Sequence, residues 1–300
     1  MKKLLSSISI LCVSLATFAQ SSTEKISKEF TFEKKSSANT FMIANINGDI
    51  IVEGYSGDMV IVEATKTIKA KTEERLQKGK QELTIGVLDR ADTIILYLDG
   101  LCNKFGKYNK NWQGKHSSGW SYHWDDCNGN RDWHRDEGYD YTVDFKVKVP
   151  ASVNVSVSTV NNGDIKVEKV SGRVRANTVN GAIALKDLAS AVDAYTINGD
   201  VDLDFERNPA VDCRFYTLNG DINALFRKGL AANIGFKSFN GDLFSNVSDL
   251  ATMPAALEKK ESKKGVKYSV NGNRFKIGKG GALLDFETFN GDVFVKEKDN

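Results

Sequence analysis

The residue types best suited to ligand contact are concentrated in one short stretch of this chain. All four tryptophans and all three histidines of the 300-residue sequence fall within positions 112–134. Exposed aromatic rings can cover the apolar faces of sugars, while polar neighbours hold the hydroxyl groups. This chemistry makes a glycan a candidate ligand, and the residues that would contact it are Trp112, Trp120, Tyr122, Trp124 and Trp133.

Two other interpretations of this stretch stay open. His116, His123 and His134 are metal-ligand types, but their spacings of seven and eleven match no compact zinc signature. In the third interpretation, the aromatic residues pack the stretch onto the end or flank of a repeat structure. Repeat proteins need such a cap at their ends.

The cysteines bracket most of the same stretch. Cys102 and Cys127 have 24 residues between them, and we predict that they form a disulfide. Closing a loop of this size stabilises a protein by about 3 kcal/mol. Cys213 falls in an apolar column of the repeat described below, so we expect it to be a buried free thiol.

Carboxylates recur at a second set of positions, directly after the glycine of a repeated Asn-Gly-Asp motif. Aspartate routinely caps backbone N–H groups in turns, and capping is the simpler explanation. A row of bound calcium ions is the alternative, although the calcium-binding nonapeptide pattern of β-rolls is absent. The turn residues are Asn47, Gly48, Asp49, Gly163, Asp164, Asn180, Gly181, Asn198, Gly199, Asp200, Asn219, Gly220, Asp221, Asn240, Gly241, Asp242, Asn290, Gly291 and Asp292.

The copies of this motif organise most of the chain. They are INGDI at 46–50, NNGDI at 161–165, VNGAI at 179–183, INGDV at 197–201, LNGDI at 218–222, FNGDL at 239–243, FNGDV at 289–293 and a degenerate VNGN at 270–273. Glycines 163 to 241 follow one another at steps of 18 or 21 residues, which predicts one stacked coil per copy. Glycine and asparagine tolerate positive φ, so each Asn-Gly pair lets the chain turn a corner.

Positions counted from each glycine form consistent columns, as strand alternation requires. The column two residues after glycine is aliphatic: Ile50, Ile165, Ile183, Val201, Ile222, Leu243 and Val293. The column three residues before it is small and polar, which predicts a hydrogen-bonded stack: Asn45, Thr178, Thr196, Thr217, Ser238 and Thr288. We therefore predict an all-β fold, a β-solenoid of the parallel β-helix type, with a β-sandwich or meander as the alternative.

One long run carries a resemblance to a known family. The segment YTVDFKVKVPASVNVSVSTVNNGDIKVEKVSGRVRANTVNGAIALKDL, together with GGALLDFETFNGDVFV, resembles the bacterial putative-adhesin domains of unknown function, which are related to autotransporter adhesin head domains. The likeness covers most of 40–295. It implies a right-handed β-solenoid in exported or envelope proteins, and it brings no catalytic residues.

The N-terminus predicts export. Lys2 and Lys3 precede an apolar run and a small-residue exit, the layout of a signal peptide cleaved after Ala19. We divide the chain into a signal peptide (1–19), N-terminal β coils (20–100), a Trp- and His-rich insert (101–139) and C-terminal repeats (140–300) with a charged loop at 254–266. We expect the periplasm, the outer surface or the extracellular space as the location.

These features favour a non-catalytic, adhesin-like binding protein of the cell envelope over a passive structural protein or a polysaccharide-active β-helix enzyme. No Ser-His-Asp, HExxH or phosphate-loop pattern is present, and we expect no cofactor. The near balance of 41 basic and 39 acidic residues argues against a nucleic-acid partner. A surface glycan or another envelope protein is the expected partner, and the sequence predicts no transmembrane segment.

Overall fold

The computed structural model describes residues 20–99, 138–254, 257–262, 265–270 and 273–298. Strands dominate these residues, and the single helix that they contain is α1 (Glu73–Glu82). The strands are β1 (Gln20–Thr31), β2 (Thr40–Ala44), β3 (Ile50–Tyr55), β4 (Met59–Ala70), β5 (Thr84–Asp89), β6 (Thr93–Asp99), β7 (Tyr139–Pro150), β8 (Asn154–Ser158), β9 (Ile165–Glu168), β10 (Val174–Asn177), β11 (Ile183–Leu188), β12 (Val192–Tyr195), β13 (Val201–Phe205), β14 (Cys213–Asn219), β15 (Ile222–Phe226), β16 (Ala232–Lys237), β17 (Leu243–Ser245), β18 (Leu250–Thr252), β19 (Leu257–Ser262), β20 (Gly265–Val270), β21 (Asn273–Ile277), β22 (Leu283–Asn290) and β23 (Val293–Glu297).

Most of the strands belong to two large mixed sheets, which we call the first and the second sheet. The first runs β1-β4-β7-β3-β9-β11-β13-β15-β23-β17, and the second runs β18-β21-β16-β22-β14-β12-β10-β8-β2-β6-β5. Neighbours in the middle of both sheets are parallel, whereas antiparallel pairs lie at the sheet ends. The two sheets contribute to one hydrophobic core. The all-β prediction is confirmed at this level.

Each Asn-Gly-Asp copy connects a strand of the second sheet to a strand of the first. The pairing of β13 with β11 and β15 places Val201 beside Ile183 and Ile222, as the columns predict. This aliphatic column is fully buried except at Leu243. Leu243 is only partly buried because β17 is the last strand of the first sheet.

The order of the repeats in the stack differs from their order in the chain. The β22–β23 repeat lies between the β14–β15 repeat and the β16–β17 repeat, although it follows both in sequence. At the other end, β2 and β3 lie between β8–β9 and the strands β6 and β7. Even spacing along the chain therefore does not determine the order of stacking. The motif specifies how two copies pair, but not which two copies.

The degenerate copy VNGN at 270–273 is also not a coil of the stack. It lies between β20 and β21, and β21 pairs antiparallel with β16. Parallel stacking requires the same strand direction in neighbouring repeats, which this segment lacks. The strand β21 instead extends the second sheet beyond β16, and β18 pairs antiparallel with β21 at the edge of the sheet.

The helix α1 was not predicted, since the sequence favoured β coils throughout 20–100. Thr72 caps its N-terminus by accepting a hydrogen bond from the Arg75 N–H at 3.3 Å. The helix buries Leu76, and it lies so close to β4 that a Cβ on Gly79 would be 2.9 Å from Ile68. The helix therefore packs against the antiparallel end of the first sheet.

The charged segment after Pro254 differs from the expected loop. Residues Leu257–Ser262 and Gly265–Val270 pair as an antiparallel hairpin separate from both large sheets. The second strand reads GVKYSV, and its β-branched and aromatic residues favour strand over loop.

Candidate functional site

The asparagines of successive turns form a hydrogen-bonded ladder along one edge of the stack. Each side-chain Nδ2 donates to the Oδ1 of the preceding asparagine over 2.7 to 3.3 Å. The ladder runs through Asn161, Asn180, Asn198, Asn219, Asn290 and Asn240. Asn161 rather than Asn162 holds the ladder position of its repeat, because Asn162 is an additional residue with a φ of 48°.

The aspartates form a second series of contacts at the same edge. Each Oδ1 accepts a hydrogen bond from the backbone N–H that follows the glycine of the next repeat, over 2.8 to 3.0 Å. The acceptor and donor pairs are Asp144 with Asp49, Asp49 with Asp164, Asp164 with Ala182, Asp200 with Asp221, Asp221 with Asp292, and Asp292 with Asp242. The carboxylates thus cap backbone N–H groups, but those of a neighbouring repeat rather than of their own turn. Ala182 has no carboxylate and interrupts the series.

The glycines of these turns are required mainly by the close approach of neighbouring repeats. A Cβ on Gly181 would lie 2.0 Å from the Gly163 carbonyl oxygen, and one on Gly220 would lie 2.2 Å from that of Gly199. Positive φ, the reason inferred from sequence, holds at Gly220 (153°) but not at Gly181. The shared constraint is therefore contact between backbones.

The buried hydroxyl column supports the same contact. Thr196 Oγ1 donates to the Gly181 carbonyl at 2.9 Å, and Thr217 Oγ1 donates to that of Gly199 at 2.8 Å. Both threonines are fully buried. Each such bond joins a threonine to the turn glycine of the neighbouring repeat. The Asn-Gly-Asp edge is consequently explained by stacking, which leaves ligand binding to be sought elsewhere.

The candidate ligand-contacting stretch begins and ends at a defined place in the stack. Strand β6 ends at Asp99 and β7 begins at Tyr139, so residues 100–138 connect the second sheet to the first. The same corner holds an Asn-Gly-Asp turn in the other repeats. The proposed contact residues Trp112, Trp120, Tyr122, Trp124 and Trp133, the histidines His116, His123 and His134, and the cysteines Cys102 and Cys127 lie outside the described residues, as does the signal peptide.

Cys213 is buried and free, as predicted. Its thiol contacts the Val192 N–H at 3.4 Å, and its column neighbour in β22 is Leu284. Burial raises the pKa of Cys213 to about 11. The residue therefore contributes to the core and is not a reactive nucleophile at neutral pH.

Exposed aromatic pairs are the feature that the sequence reasoning missed. Phe239 and Phe289 stack with ring centroids 4.7 Å apart at an interplanar angle of 4°, and Phe239 is 73% exposed. Tyr195 and Tyr216 stack at 4.5 Å on the outer face of the second sheet. For Tyr195 and Tyr216 a signal was present in the sequence, because aromatic residues at equal offsets in adjacent repeats face one another.

A metal site and a membrane-spanning helix were both sought in the part of the chain that the structure describes. Within it, no group of three or more His, Cys, Asp or Glu side chains could hold a metal ion. No helix there is long and apolar enough to cross a membrane.

Comparison with known proteins gives distant similarities only. No family model and no curated protein sequence matches the chain significantly. A solved structure described as a putative cell adhesion protein, from Clostridium sporogenes, is 12% identical and covers 92% of this chain and 100% of its own, with a TM-score of 0.38. A putative adhesin from Bacteroides fragilis is 8% identical and covers 92% and 97%, with a TM-score of 0.34.

A third similar structure is a putative adhesin from Parabacteroides distasonis. It is 9% identical and covers 94% of this chain and 98% of its own, with a TM-score of 0.27. Because these identities and TM-scores are low, neither the fold nor the function of this chain is inferred from the three proteins.

Proposed function

We propose that this chain is an exported, adhesin-like protein of the cell envelope that binds a ligand rather than catalysing a reaction. In this proposal the signal peptide is removed after Ala19 and the two sheets wind as a flattened right-handed β-solenoid. The stack is the support, and the aromatic residues of 112–133 contact a surface glycan. The observation that carries the proposal is the place where this stretch joins the stack.

The connection between β6 and β7 replaces a turn that is short in every other repeat. All four tryptophans of the chain therefore belong to a connection that is much longer than the turn at the same corner of the other repeats. Long connections of this kind usually have a function, since binding residues are often borne on loops held by a rigid scaffold.

The support itself is well suited to hold such a stretch. Neighbouring repeats are linked along one edge by hydrogen bonds between asparagine side chains. They are also linked there by hydrogen bonds from backbone N–H groups to aspartate side chains. Each repeat also contributes a strand to both sheets, and backbone hydrogen bonds join these strands to those of the neighbouring repeats. Because the stack is already ordered, its own conformational entropy decreases little when a ligand binds to a loop that it holds.

Catalysis by the turn carboxylates is less well supported. Hydrolysis of a glycosidic bond needs two carboxyl groups that converge on the substrate. The Asp164, Asp200 and Asp221 carboxylates instead each use Oδ1 to accept a backbone N–H of the next repeat. Their positions follow from stacking, so no catalytic role is needed to explain them.

The proposal is tested on a glycan array with the chain lacking residues 1–19, followed by titration of the bound glycans. All four tryptophans lie within 112–133, so tryptophan emission reports on that stretch alone. We expect at least one glycan to bind and to shift the emission. Replacing Trp112, Trp120, Trp124 and Trp133 by Ala should abolish binding of those glycans that shift the emission of the parent protein.

The matched control replaces another exposed aromatic pair, Tyr195→Ala with Tyr216→Ala, on the outer face of the second sheet. This variant should bind like the parent protein. The proposal would be contradicted if no glycan shifted the tryptophan emission of the parent protein, or if the four-Trp variant bound the emission-shifting glycans equally well. The first of these results would favour the passive structural role.

A further inference from the structure

The outer face of the first sheet changes character along the stack. Near β3 and β9 it carries ion pairs, such as Lys166 with Glu168 at 2.9 Å and Lys169 with Glu53 at 2.7 Å. Further along, the corresponding outward positions carry an aspartate, an asparagine and two phenylalanines. This second part of the face contains a shallow cavity of about 340 Å³.

We call this cavity the sheet groove. It is lined by apolar, basic, and acidic or amide residues. The residues that line it include Leu225 and Phe294 together with Lys186, Asp202, Asp204, Asn223 and Lys296. These residues come from β11, β13, β15 and β23, four strands that are neighbours in the sheet. The groove therefore runs across the strands, along the direction in which the repeats stack.

An aromatic platform forms one end of the sheet groove. Phe294 stacks on Phe244 with centroids 5.2 Å apart and an interplanar angle of 15°. The Phe244 side chain is 47% exposed, and Phe294 is partly exposed. Lys296 Nζ lies 4.9 Å from the centre of the Phe294 ring. Stacking keeps both rings in place, so the platform is formed before any ligand arrives.

The polar side chains of the groove are ordered but retain hydrogen-bonding capacity. Asn223 Nδ2 donates to Asp202 Oδ1 at 2.9 Å, and Asp204 forms an ion pair with Lys298. Among the hydrogen bonds of the described residues, none uses Asp202 Oδ2 or Asn223 Oδ1. Acceptor oxygens and the ammonium donors of Lys186 and Lys296 thus line the same cavity.

We propose that the sheet groove is a binding site for a neutral, hydroxyl-rich oligosaccharide. Phe294 and Leu225 offer apolar surface for the C–H groups of a sugar, and the carboxylate, amide and ammonium groups offer both acceptors and donors for hydroxyls. Strands lie about 4.8 Å apart, close to the length that one sugar unit adds to an extended chain. Successive sugars would then meet successive strands.

The mixed charges favour an uncharged ligand. The two carboxylates of Asp202 and Asp204 balance the two ammonium groups of Lys186 and Lys296, so neither an acidic nor a basic polymer gains a net attraction. The proposal does not depend on the Trp-rich stretch, which joins the stack at the opposite end, beside β6 and β7. The chain would then have two separate saccharide contacts.

The test is isothermal titration calorimetry of the full mature chain with cellohexaose, maltohexaose and chitohexaose as probes. We expect at least one probe to bind. Phe294→Leu, which keeps an apolar side chain but removes the ring, and Asp202→Ala should each weaken that binding at least tenfold. Thermal unfolding of both variants should stay cooperative, because both side chains are on the outer face.

The matched control is Lys166→Ala with Glu168→Ala, which removes an ion pair from the same face outside the groove. It should bind like the parent protein, as should the variant with all four tryptophans replaced. Failure of all three probes, or undiminished binding by Phe294→Leu and Asp202→Ala, would overturn this proposal. Loss confined to the four-Trp variant would also overturn it, while supporting the function proposed above.

Discussion

Two copies of the same four letters, FNGD, occupy different places in the stack. The copy at 289–292 lies inside it, between two other repeats, whereas the copy at 239–242 is the last repeat of the first sheet. Val293, which follows the inner copy, is fully buried, while Leu243 after the outer copy is partly exposed. The motif is the same in both copies, and the burial of the residue that follows it depends on whether a repeat lies on both sides.

The residues around the two copies differ accordingly. The inner repeat has Thr288, whose Oγ1 donates to the Gly220 carbonyl, and buried Val295. The outer repeat has exposed Ser245 and Ser238, whose Oγ finds no hydrogen-bond partner among the described residues. The difference teaches that the inward columns, rather than the turn itself, record whether a repeat has a neighbour on both sides.

The largest contrast is expected at the glycines. A Cβ at Gly291 would lie 1.9 Å from the Gly220 carbonyl oxygen, and one at Gly241 would lie 1.9 Å from that of Gly291. Gly291→Ala should cost about 3 kcal/mol, because a repeat held on both sides cannot move away and because φ at Gly291 is 145°, which alanine rarely adopts. Gly241→Ala should cost clearly less, since the outer repeat can shift outward. Urea unfolding of the two variants measures the difference, and equal losses would show that the two positions are equally confined.

The second contrast concerns the position four residues after the glycine, which is Val295 in the inner repeat and Ser245 in the outer one. Val295→Ser places a hydroxyl in the core and should cost about 2 kcal/mol in the free energy of unfolding. Ser245→Val, at the corresponding exposed position, should change it by less than about 0.5 kcal/mol. Chemical unfolding is again the measurement. A large effect at Ser245 would mean that the end of the sheet is covered in solution.

The asparagine ladder gives a smaller contrast. Asn290 makes two hydrogen bonds in the ladder, since it donates to Asn219 at 2.8 Å and accepts from Asn240 at 2.9 Å. Among the described residues, Asn240 makes a single ladder bond, the one that it donates to Asn290. Asn290→Ala should therefore cost about 1 kcal/mol and Asn240→Ala about half as much. Thermal unfolding should rank the variants in this order, and the reverse ranking would refute a directional ladder.

The smallest effect is a gain. Ala182 interrupts the aspartate series, and no side chain there can accept from the Asp200 N–H. Ala182→Asp should restore one capping contact and stabilise the protein by about 0.5 kcal/mol, the hydrogen bond being partly offset by repulsion between neighbouring carboxylates. The gain should grow with added salt, because salt screens the repulsion. A loss of stability at every salt concentration would argue against the capping role.

The sequence was sufficient for the local pattern of the fold. Counting from the glycines placed Val201 beside Ile183 and Ile222, and it identified Cys213 as a buried residue. Both predictions succeed because strand alternation and equal coil length determine which residues point inward. The Ser245 position, polar in an otherwise apolar column, could also have marked the end of the sheet.

The order of the repeats and the helix α1 could not be predicted in the same way. Any two copies pair equally well by motif, so the sequence does not say that β23 enters between β15 and β17. The helix reads EERLQKGKQE, which has too few apolar residues for a helical period to appear. Its capping residue Thr72 and the acidic residues after it were the available signal. The sheet groove was missed because its side chains come from four separate repeats.

The insertion of β23 is the central structural claim, and cysteine cross-linking tests it most directly. Asn223 lies beside Phe294 in the sheet, and Phe294 lies beside Phe244. Neighbouring strands are close enough for a disulfide, and strands two apart are not. We predict that the double variants Asn223→Cys with Phe294→Cys and Phe244→Cys with Phe294→Cys both form the bond on mild oxidation, as mapped by mass spectrometry. The variant Asn223→Cys with Phe244→Cys should form none. A bond between positions 223 and 244, with none between 223 and 294, would contradict the account and restore stacking in chain order.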